Sequence, residues 1–332
     1  MARHRRLKSS HPAAVYHCIS RTVNGEFLFD DTAKEMLRKH IHQTAEFSGI
    51  EVITYAIMSN HFHVLVRILP CDTPDDSELL RRYKALYPNP TRYATAQIAI
   101  LESTLKANGI NAEQLRRQLL ARMGNVSEFM KTLKQRFSVW FNRSHKRYGT
   151  LWAERFTSTI VEGNRHFALR ITAAYIDLNP VRAGLTSDPK DYRWCGYGEA
   201  VAIGGRMIQG LRQTIEDAAH YSNGEVLAAY RLSMLGKGAA PKANGERSGI
   251  ISPELFASAE KCGGVLPLSE RLRLRVAWFT RGAVIGSKQF VTEHLSTYLK
   301  HINSQRDIKP KHVAPSESDD GQTELFAMRR RA

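Results

Sequence analysis

Apolar and β-branched residues dominate three stretches in the first half of the chain, as they do in β-strands. Residues 13–23 and 51–68 both have this composition, and the second contains neither Gly nor Pro, so we predict one buried strand in each. Residues 151–161 predict a further strand. Between the first two strands, apolar residues recur at helical spacing over about 32–48. The order strand, helix, strand predicts an α+β fold in which helices cover a mostly antiparallel sheet.

A helical insertion follows the second strand, over residues 70–128. It opens with a loop rich in Pro and Asp, and three helical patterns come after it, near residues 77–86, 91–107 and 112–123. We expect these helices to lie over the sheet, and they contain no group of residues typical of a catalytic site. A longer helix is predicted over about 126–145, where an apolar stripe runs beside basic residues.

Two consecutive glycines, at positions 204 and 205, mark a domain boundary. We predict a first domain over residues 1–204 and a helical C-terminal region over 205–302. The helical patterns of that region lie near residues 208–219, 224–235, 252–261, 268–282 and 286–300. Residues 303–332 are polar and rich in Ser and Asp, so we expect a disordered tail.

The overall composition is that of a soluble globular protein, with 332 residues, of which 42% are hydrophobic and 24% charged. The formal net charge of +16 favours a polyanionic partner, most commonly nucleic acid; the alternative is a basic protein without such a partner. The four cysteines form no Cys-x-x-Cys pair, which argues against a zinc ribbon and fits reduced thiols in a cytosol. No apolar run is long enough to span a membrane, so we expect a cytoplasmic, nucleoid-associated protein.

Two histidines lie in the second predicted strand with one residue between them. Successive side chains of a strand point to opposite faces, so His61 and His63 share a face while Phe62 points into the opposite layer. Two neighbouring imidazoles on a rigid sheet make half of a divalent-metal site. The alternative is a pair of core histidines with structural partners.

A predicted helix that opens near residue 165 carries a second group of polar residues. Tyr175 and Asn179 are four residues apart and therefore share a helix face. Pro180 disfavours helical geometry at Asn179, so we expect Asn179 at a helix end or kink, with its amide free to serve a site. The alternatives are an ordinary core tyrosine and a helix C-cap.

Basic residues suggest where a nucleic acid would bind. The predicted helix over 126–145 and the turn beyond it carry several of them away from the apolar stripe, and a basic helix can follow a phosphate backbone. The alternative is a solvated helix face. With Arg21 on the first strand and Arg155 on the third, the candidate DNA contacts are Arg21, Arg136, Arg143, Lys146, Arg147 and Arg155.

Three segments contain Arg21 and the four candidate residues of the metal and tyrosine site. They read Tyr-His-Cys-Ile-Ser-Arg-Thr-Val-Asn at 16–24, Met-Ser-Asn-His-Phe-His-Val-Leu-Val at 58–66, and Tyr-Ile-Asp-Leu-Asn-Pro-Val-Arg-Ala-Gly-Leu at 175–185. In this order they resemble the single-tyrosine HUH transposases, and most closely the REP-associated tyrosine transposases related to the IS200/IS605 elements. The resemblance covers about residues 10–200, so the region after about 205 goes beyond it.

The resemblance implies a ferredoxin-like or RRM-like antiparallel sheet and assigns roles by position. His61, His63 and Asn179 match the ligands of a Mg²⁺ or Mn²⁺ ion, and Tyr175 matches the nucleophile. Tyr175 would attack a phosphate of single-stranded, hairpin-forming repeat DNA, leaving a 5′-phosphotyrosine and a free 3′-OH. Relatives act as monomers or as homodimers, so both states stay open.

Two other functions remain possible from the sequence. A domesticated DNA-binding protein would keep the fold and recognise structured repeats without transposition. An RNA-binding protein with a structural His-x-His pair would leave Tyr175 and Asn179 without a role and would bind no specific Mn²⁺ ion.

Overall fold

The computed structural model describes residues 7, 9, 13–70, 73–164, 166–235, 276–301, 309–314 and 325–329. Its strands are β1 (Ala14–Arg21), β2 (Ile50–Ile57), β3 (His61–Ile68), β4 (Thr157–Val161), β5 (Gly282–Gly286), β6 (Lys311–Ala314) and β7 (Leu325–Arg329). They form one sheet in the order β2-β3-β1-β4-β5-β7-β6. The predicted α+β class is confirmed.

The first four strands make the antiparallel unit that positions the candidate site. β1 lies between β3 and β4, and β2 pairs with the outer edge of β3, all antiparallel. The order β2-β3-β1-β4 is that of a ferredoxin-like sheet. The helices of this part are α1 (Asp31–Ser48), α2 (Asp76–Ala85), α3 (Arg92–Ala107), α4 (Ile110–Leu120) and α5 (Val126–Ser144).

Residues 51–68 form a hairpin, and the prediction of a single strand there was wrong. β2 ends at Ile57 and β3 begins at His61, with a tight turn that is closed by a hydrogen bond from the Met58 N–H to the His61 carbonyl (2.8 Å). Ser59 and Asn60 make this turn without Gly or Pro, so the strongest turn signals are missing from the sequence. His61 therefore stands at the first position of β3.

The two faces of the sheet are covered by different helices. On one face Phe62 packs edge-on against Trp152, with ring centroids 5.7 Å apart, and the Trp152 indole donates to Ser138 of α5 at 2.8 Å. On the other face His63 lies against Tyr175. The chain after β4 continues as α6 (His166–Asp177), α7 (Asn179–Arg182), α8 (Gly196–Ala202), α9 (Arg206–Arg212) and α10 (Asn223–Leu235).

The predicted helical insertion is present as α2, α3 and α4. Its helices share a small apolar core of their own, which Phe47 at the end of α1 completes. Arg116 of α4 ties the insertion together through a bidentate ion pair with Asp76, at 2.7 Å for each contact. The insertion therefore packs against the end of α1, whereas we had expected it to lie over the sheet.

The C-terminal region extends the sheet, which the sequence did not predict. β5 pairs in parallel with β4, and β7 and β6 follow in antiparallel order. The expectation of a purely helical region and a disordered tail was therefore wrong for β5, β6 and β7, because strands of four or five residues give a weak periodic signal in a polar context. After α9 and α10, the described helices of this region are α11 (Val276–Arg281) and α12 (Lys288–His301). The helix predicted near 252–261 lies outside the described residues.

The sequence predicts reduced cysteine thiols and no membrane-spanning segment. Cys18 and Cys195 are buried and form no disulfide, and the other two cysteines fall outside the described residues. Within the described ranges, every helix is too short or too polar to cross a membrane.

A buried carboxylate joins α8 to α1 and to the β2 edge. Glu199 accepts hydrogen bonds from His42 (3.0 Å) and from the Tyr55 hydroxyl, and Arg38 lies 3.2 Å away. Burial alone would raise the pKa of Glu199, but the His42, Tyr55 and Arg38 contacts outweigh it and lower that pKa to about 2. The carboxylate is thus more stable in the folded chain than in the unfolded one.

Because the folded-state pKa of Glu199 is depressed from 4.5 to about 2, its contribution to stability is present above pH 4.5 and is lost as the pH falls toward 2. The shift corresponds to roughly 3 kcal/mol. We expect Glu199→Gln to lower the free energy of urea unfolding at pH 7, and the difference from wild type to shrink as the pH falls from 5 to 3. Glu216→Gln, at an exposed carboxylate, is the control. A wild-type advantage that stays constant over this pH range would contradict the assignment.

Candidate functional site

Four residues predicted from separate parts of the sequence meet at one end of the sheet. The ring centroids of His61 and His63 are 5.1 Å apart, and the centroid of His63 is 5.9 Å from that of Tyr175. Asn179 follows one turn after Tyr175, at the start of α7. Sheet and helix thus bring the two imidazoles, the phenol and the amide together.

Both histidines are held by a hydrogen bond at Nδ1. His61 Nδ1 lies 2.6 Å from the Asn60 side-chain oxygen, and His63 Nδ1 lies 2.9 Å from His17 Nε2. An amide oxygen only accepts, so His61 carries its proton on Nδ1 and leaves the Nε2 lone pair free. His63 has the same arrangement when His17 acts as the acceptor. Such a second partner is what orients a metal-binding imidazole.

The electrostatic surroundings keep these imidazoles neutral. Burial lowers the pKa of His61 to about 4, with smaller effects of Arg21 and Arg182. Burial likewise lowers the pKa of His63 well below its ordinary value, and the neighbouring His17 and His61 add to this. The neutral imidazole is the form that binds a metal ion.

Asn179 has the capping role that was one of the two considered from the sequence. α6 ends at Asp177 and α7 begins at Asn179 with Pro180 in its first turn, as the sequence suggested. The Asn179 Nδ2 donates to the carbonyl oxygens of Tyr175 (2.9 Å) and Ile176 (3.3 Å). It therefore caps the helix with its nitrogen, and its oxygen is left for another partner.

The donor atoms fit a hard or borderline divalent cation. Two imidazole nitrogens and one amide oxygen would leave further coordination positions for water or phosphate oxygens, as Mn²⁺ and Mg²⁺ prefer. Within the described ranges no group of three or more His, Cys, Asp or Glu residues could hold a metal ion. A site here thus depends on Asn179 as its third protein ligand.

Tyr175 is covered by an aromatic ring from the C-terminal region. Phe279 of α11 stacks on it, with centroids 4.3 Å apart and the ring planes at 11°, and Tyr175 is 1% exposed. Burial raises the pKa of Tyr175, while Arg182, Arg21 and Asn179 act in the opposite direction. Nothing in the sequence pointed to Phe279, because it lies about a hundred residues from Tyr175 in an ordinary apolar pattern.

Arg182 is a second residue that the sequence analysis did not assign. Its guanidinium carbon lies 5.0 Å from the centroid of the Tyr175 ring. It stands in the third of the segments that carry the resemblance, so its position was a usable signal. A cation this close to a phenol favours the phenolate over the neutral form.

The predicted DNA contacts fall into two groups. Arg21, Arg143, Lys146 and Arg155 are exposed, and Arg147 is half-buried beside Glu26 at 3.7 Å. Arg136 instead turns inward, donates to Gln43 at 3.0 Å and to the Leu86 carbonyl, and lies over the Tyr87 ring. These contacts hold α5 to α1 and to the end of α2, and they engage the Arg136 guanidinium within the chain.

Comparison with known proteins supports the resemblance seen in the sequence. Residues 10–87 match the model of a family described as IS200-like transposases, and this stretch contains β1, the β2–β3 hairpin and both candidate histidines. The match confirms the resemblance over that part of the chain. No curated protein matches the chain.

A search of solved structures returned a partial likeness. The matching structure is described as a REP-associated tyrosine transposase bound to a REP hairpin. The two chains are 15% identical, the similarity covers 61% of this chain and 87% of the other, and the TM-score is 0.37. At this level the likeness carries no argument about function.

Removal of the Phe279 ring should uncover Tyr175. We expect tetranitromethane to nitrate the exposed Tyr148 (95% exposed) in all variants and Tyr175 only in Phe279→Ala, as measured by peptide mass spectrometry. Phe290→Ala, which removes a ring that packs on His294, is the control. Protection of Tyr175 in a folded Phe279→Ala protein would show that other groups cover the phenol.

Proposed function

We propose that this chain is a metal-dependent DNA strand-transfer enzyme, a transposase of the single-tyrosine type that acts on single-stranded, hairpin-forming DNA. One observation carries the proposal: two neutral histidines, each held at Nδ1, stand beside a tyrosine and an asparagine on the adjoining helix. The confirmed resemblance over residues 10–87 and the net charge of +16 support a DNA substrate.

The reaction would proceed through a covalent protein–DNA intermediate. The Tyr175 oxygen attacks the phosphorus of a phosphodiester, the bond from phosphorus to the 3′-oxygen breaks, and a proton converts the leaving alkoxide into a free 3′-OH. The product is a 5′-phosphotyrosine, which conserves the energy of the phosphodiester. Attack of a 3′-OH on that phosphorus reverses the step and rejoins strands without ATP.

The residues of the candidate site have separate roles in this reaction. A bound Mg²⁺ or Mn²⁺ ion would polarise the phosphate. His61, His63 and Asn179 would hold that ion, and Tyr175 supplies the nucleophile. An isolated phenol has a pKa near 10, and Arg182 opposes the further rise that burial causes.

A second candidate function is DNA binding without strand transfer. The specific observation in its favour is the stacking of Phe279 on Tyr175, which leaves the phenol without access to a phosphate. The orientation of the two histidines argues for the enzyme, since hairpin recognition alone requires no metal site.

The covalent intermediate is the direct test. Hairpin oligonucleotides from repeats that flank the gene would be incubated with Mn²⁺ or Mg²⁺, and the products separated on a denaturing protein gel. We expect a metal-dependent protein–DNA adduct in wild type and in the control Tyr148→Phe, and no adduct in Tyr175→Phe. Hairpin binding without an adduct, with either metal, would favour the DNA-binding function.

The metal site has a test that does not depend on catalysis. We expect Mn²⁺ binding, measured by calorimetry, to be lost in His61→Ala and in His63→Ala. His17→Leu should weaken it about 10- to 100-fold, since an outer partner of a ligating histidine has effects of that size, whereas His17→Gln keeps a hydrogen-bond acceptor and should weaken it less. Equal Mn²⁺ affinities in wild type and His63→Ala would exclude this site.

A further inference from the structure

Arg182 has buried hydrogen-bond donors without an acceptor. It is the last residue of α7, and its Nε and Nη1 are inaccessible to water and make no hydrogen bond within the described part of the chain. Buried polar groups are satisfied in the great majority of cases, and leaving a buried charge unpaired is costly. The arrangement calls for an acceptor that is not part of the chain as described.

Two other arginines of the described chain have carboxylate partners. Arg38 pairs with Glu35 at 2.7 Å, and Arg231 pairs with Asp188 at 2.6 Å. Among the described residues, no carboxylate oxygen lies within ion-pair distance of Arg182. Arg182 instead lies against Tyr175: its guanidinium carbon is 5.0 Å from the ring centroid, and a hydrogen bond between the two side chains acts to lower the pKa of the phenol.

A second cation lies on the same side of the candidate site. Arg21 ends β1 and pairs in register with His61, and its side chain is exposed. Arg21 and Arg182 both act electrostatically on His61, His63 and Tyr175. Two arginines therefore give positive potential to a site whose histidines are neutral, and such a site attracts an anion.

We propose that Arg182, assisted by Arg21, binds the non-bridging oxygens of the phosphodiester that Tyr175 attacks. This inference rests on the proposed function, and it identifies Arg182 as the residue that binds the phosphate of the DNA substrate. Guanidinium groups suit this task because their planar array of N–H groups matches phosphate oxygens. The charge on those oxygens grows in the transition state, so a fixed cation there also accelerates the step.

The rival explanation is that Arg182 only holds Tyr175 in place, through the cation–π contact and the hydrogen bond between the two side chains. That role would contribute to folding and would not change the affinity for a phosphate. Arg170 provides a matched control, because it lies on α6, also has a buried Nε without a partner, and packs on Phe167 at 5.8 Å instead of on Tyr175.

The experiment measures DNA binding where no adduct can form. In a Tyr175→Phe background, the Kd for a fluorescein-labelled hairpin oligonucleotide from the flanking repeats would be measured at three salt concentrations for Arg182→Gln, Arg182→Lys and Arg170→Gln. We expect Arg182→Gln to weaken binding about 10- to 100-fold and to reduce the salt slope by about 1. We expect the Kd of Arg182→Lys to lie between those of the Tyr175→Phe background and of Arg182→Gln, and the Kd of Arg170→Gln to equal that of the background.

A second measurement separates this inference from the proposed function. With Tyr175 present, we expect the rate of adduct formation at saturating DNA to fall about 10²- to 10³-fold in Arg182→Lys. If Arg182→Gln binds DNA more weakly but the wild-type protein forms no adduct, the phosphate site is supported and the transposase activity is refuted. Wild-type affinity and wild-type adduct rates in Arg182→Gln and Arg182→Lys, with folding verified by circular dichroism, would overturn the inference and leave the activity standing. If Arg182→Gln does not fold, Arg182→Lys decides both measurements.

Discussion

The pairing of β1 with β3 is the constraint on which the candidate site depends. In this register Arg21 lies opposite His61 and Ile19 lies opposite His63. Because side chains alternate between faces, a slip by one residue would move one strand's polar residues into the layer of Phe62. The hydrogen bond of 2.9 Å between His17 and His63 joins neighbouring strands only in the observed register. The backbone ladder therefore fixes the sheet half of the site, including the atoms that orient the histidines.

The helical part of the candidate site, Tyr175 and Asn179, is held in place by a buried carboxylate on the same helix as Tyr175. Asp177 is fully buried and accepts hydrogen bonds from Thr54 of β2 (2.9 Å), from Tyr230 of α10 (2.6 Å) and from the Tyr197 N–H (3.0 Å). These bonds tie the end of α6 to the sheet and to two later helices. Because of these bonds Asn179 is held in place, although α6 ends at Asp177 and a new helix begins at Asn179. The break that Pro180 imposes is thus held on a rigid frame, as a site of defined geometry requires.

Local spacing predicted the parts of this arrangement that depend on one element. Alternation along a strand placed His61 and His63 on one face, and the four-residue spacing placed Tyr175 near Asn179. The same rules could not show that residues 51–68 contain a turn, since Ser59 and Asn60 are compatible with either structure. They could not show on which side of α5 Arg136 lies, because a long side chain beside an apolar stripe can point inward.

Contacts between distant parts of the chain were outside the reach of such rules. Phe279 meets Tyr175 only because β5 pairs with β4 and brings α11 over the site. β5 has five residues, and its pairing with β4 involves two register positions, Ile160 with Val284 and Val161 with Ile285. A pairing this short leaves no periodic pattern long enough to predict it.

The Phe279 ring and the Arg182 cation have opposite effects on the pKa of Tyr175. Phe279 excludes water and raises the pKa of the phenol, whereas Arg182 favours the phenolate and itself lacks an acceptor among the described residues. Displacement of the Phe279 ring would hydrate the phenol, and a bound anion would supply the acceptor that Arg182 lacks. The described site is therefore a closed arrangement whose own unsatisfied donors favour the entry of a phosphate.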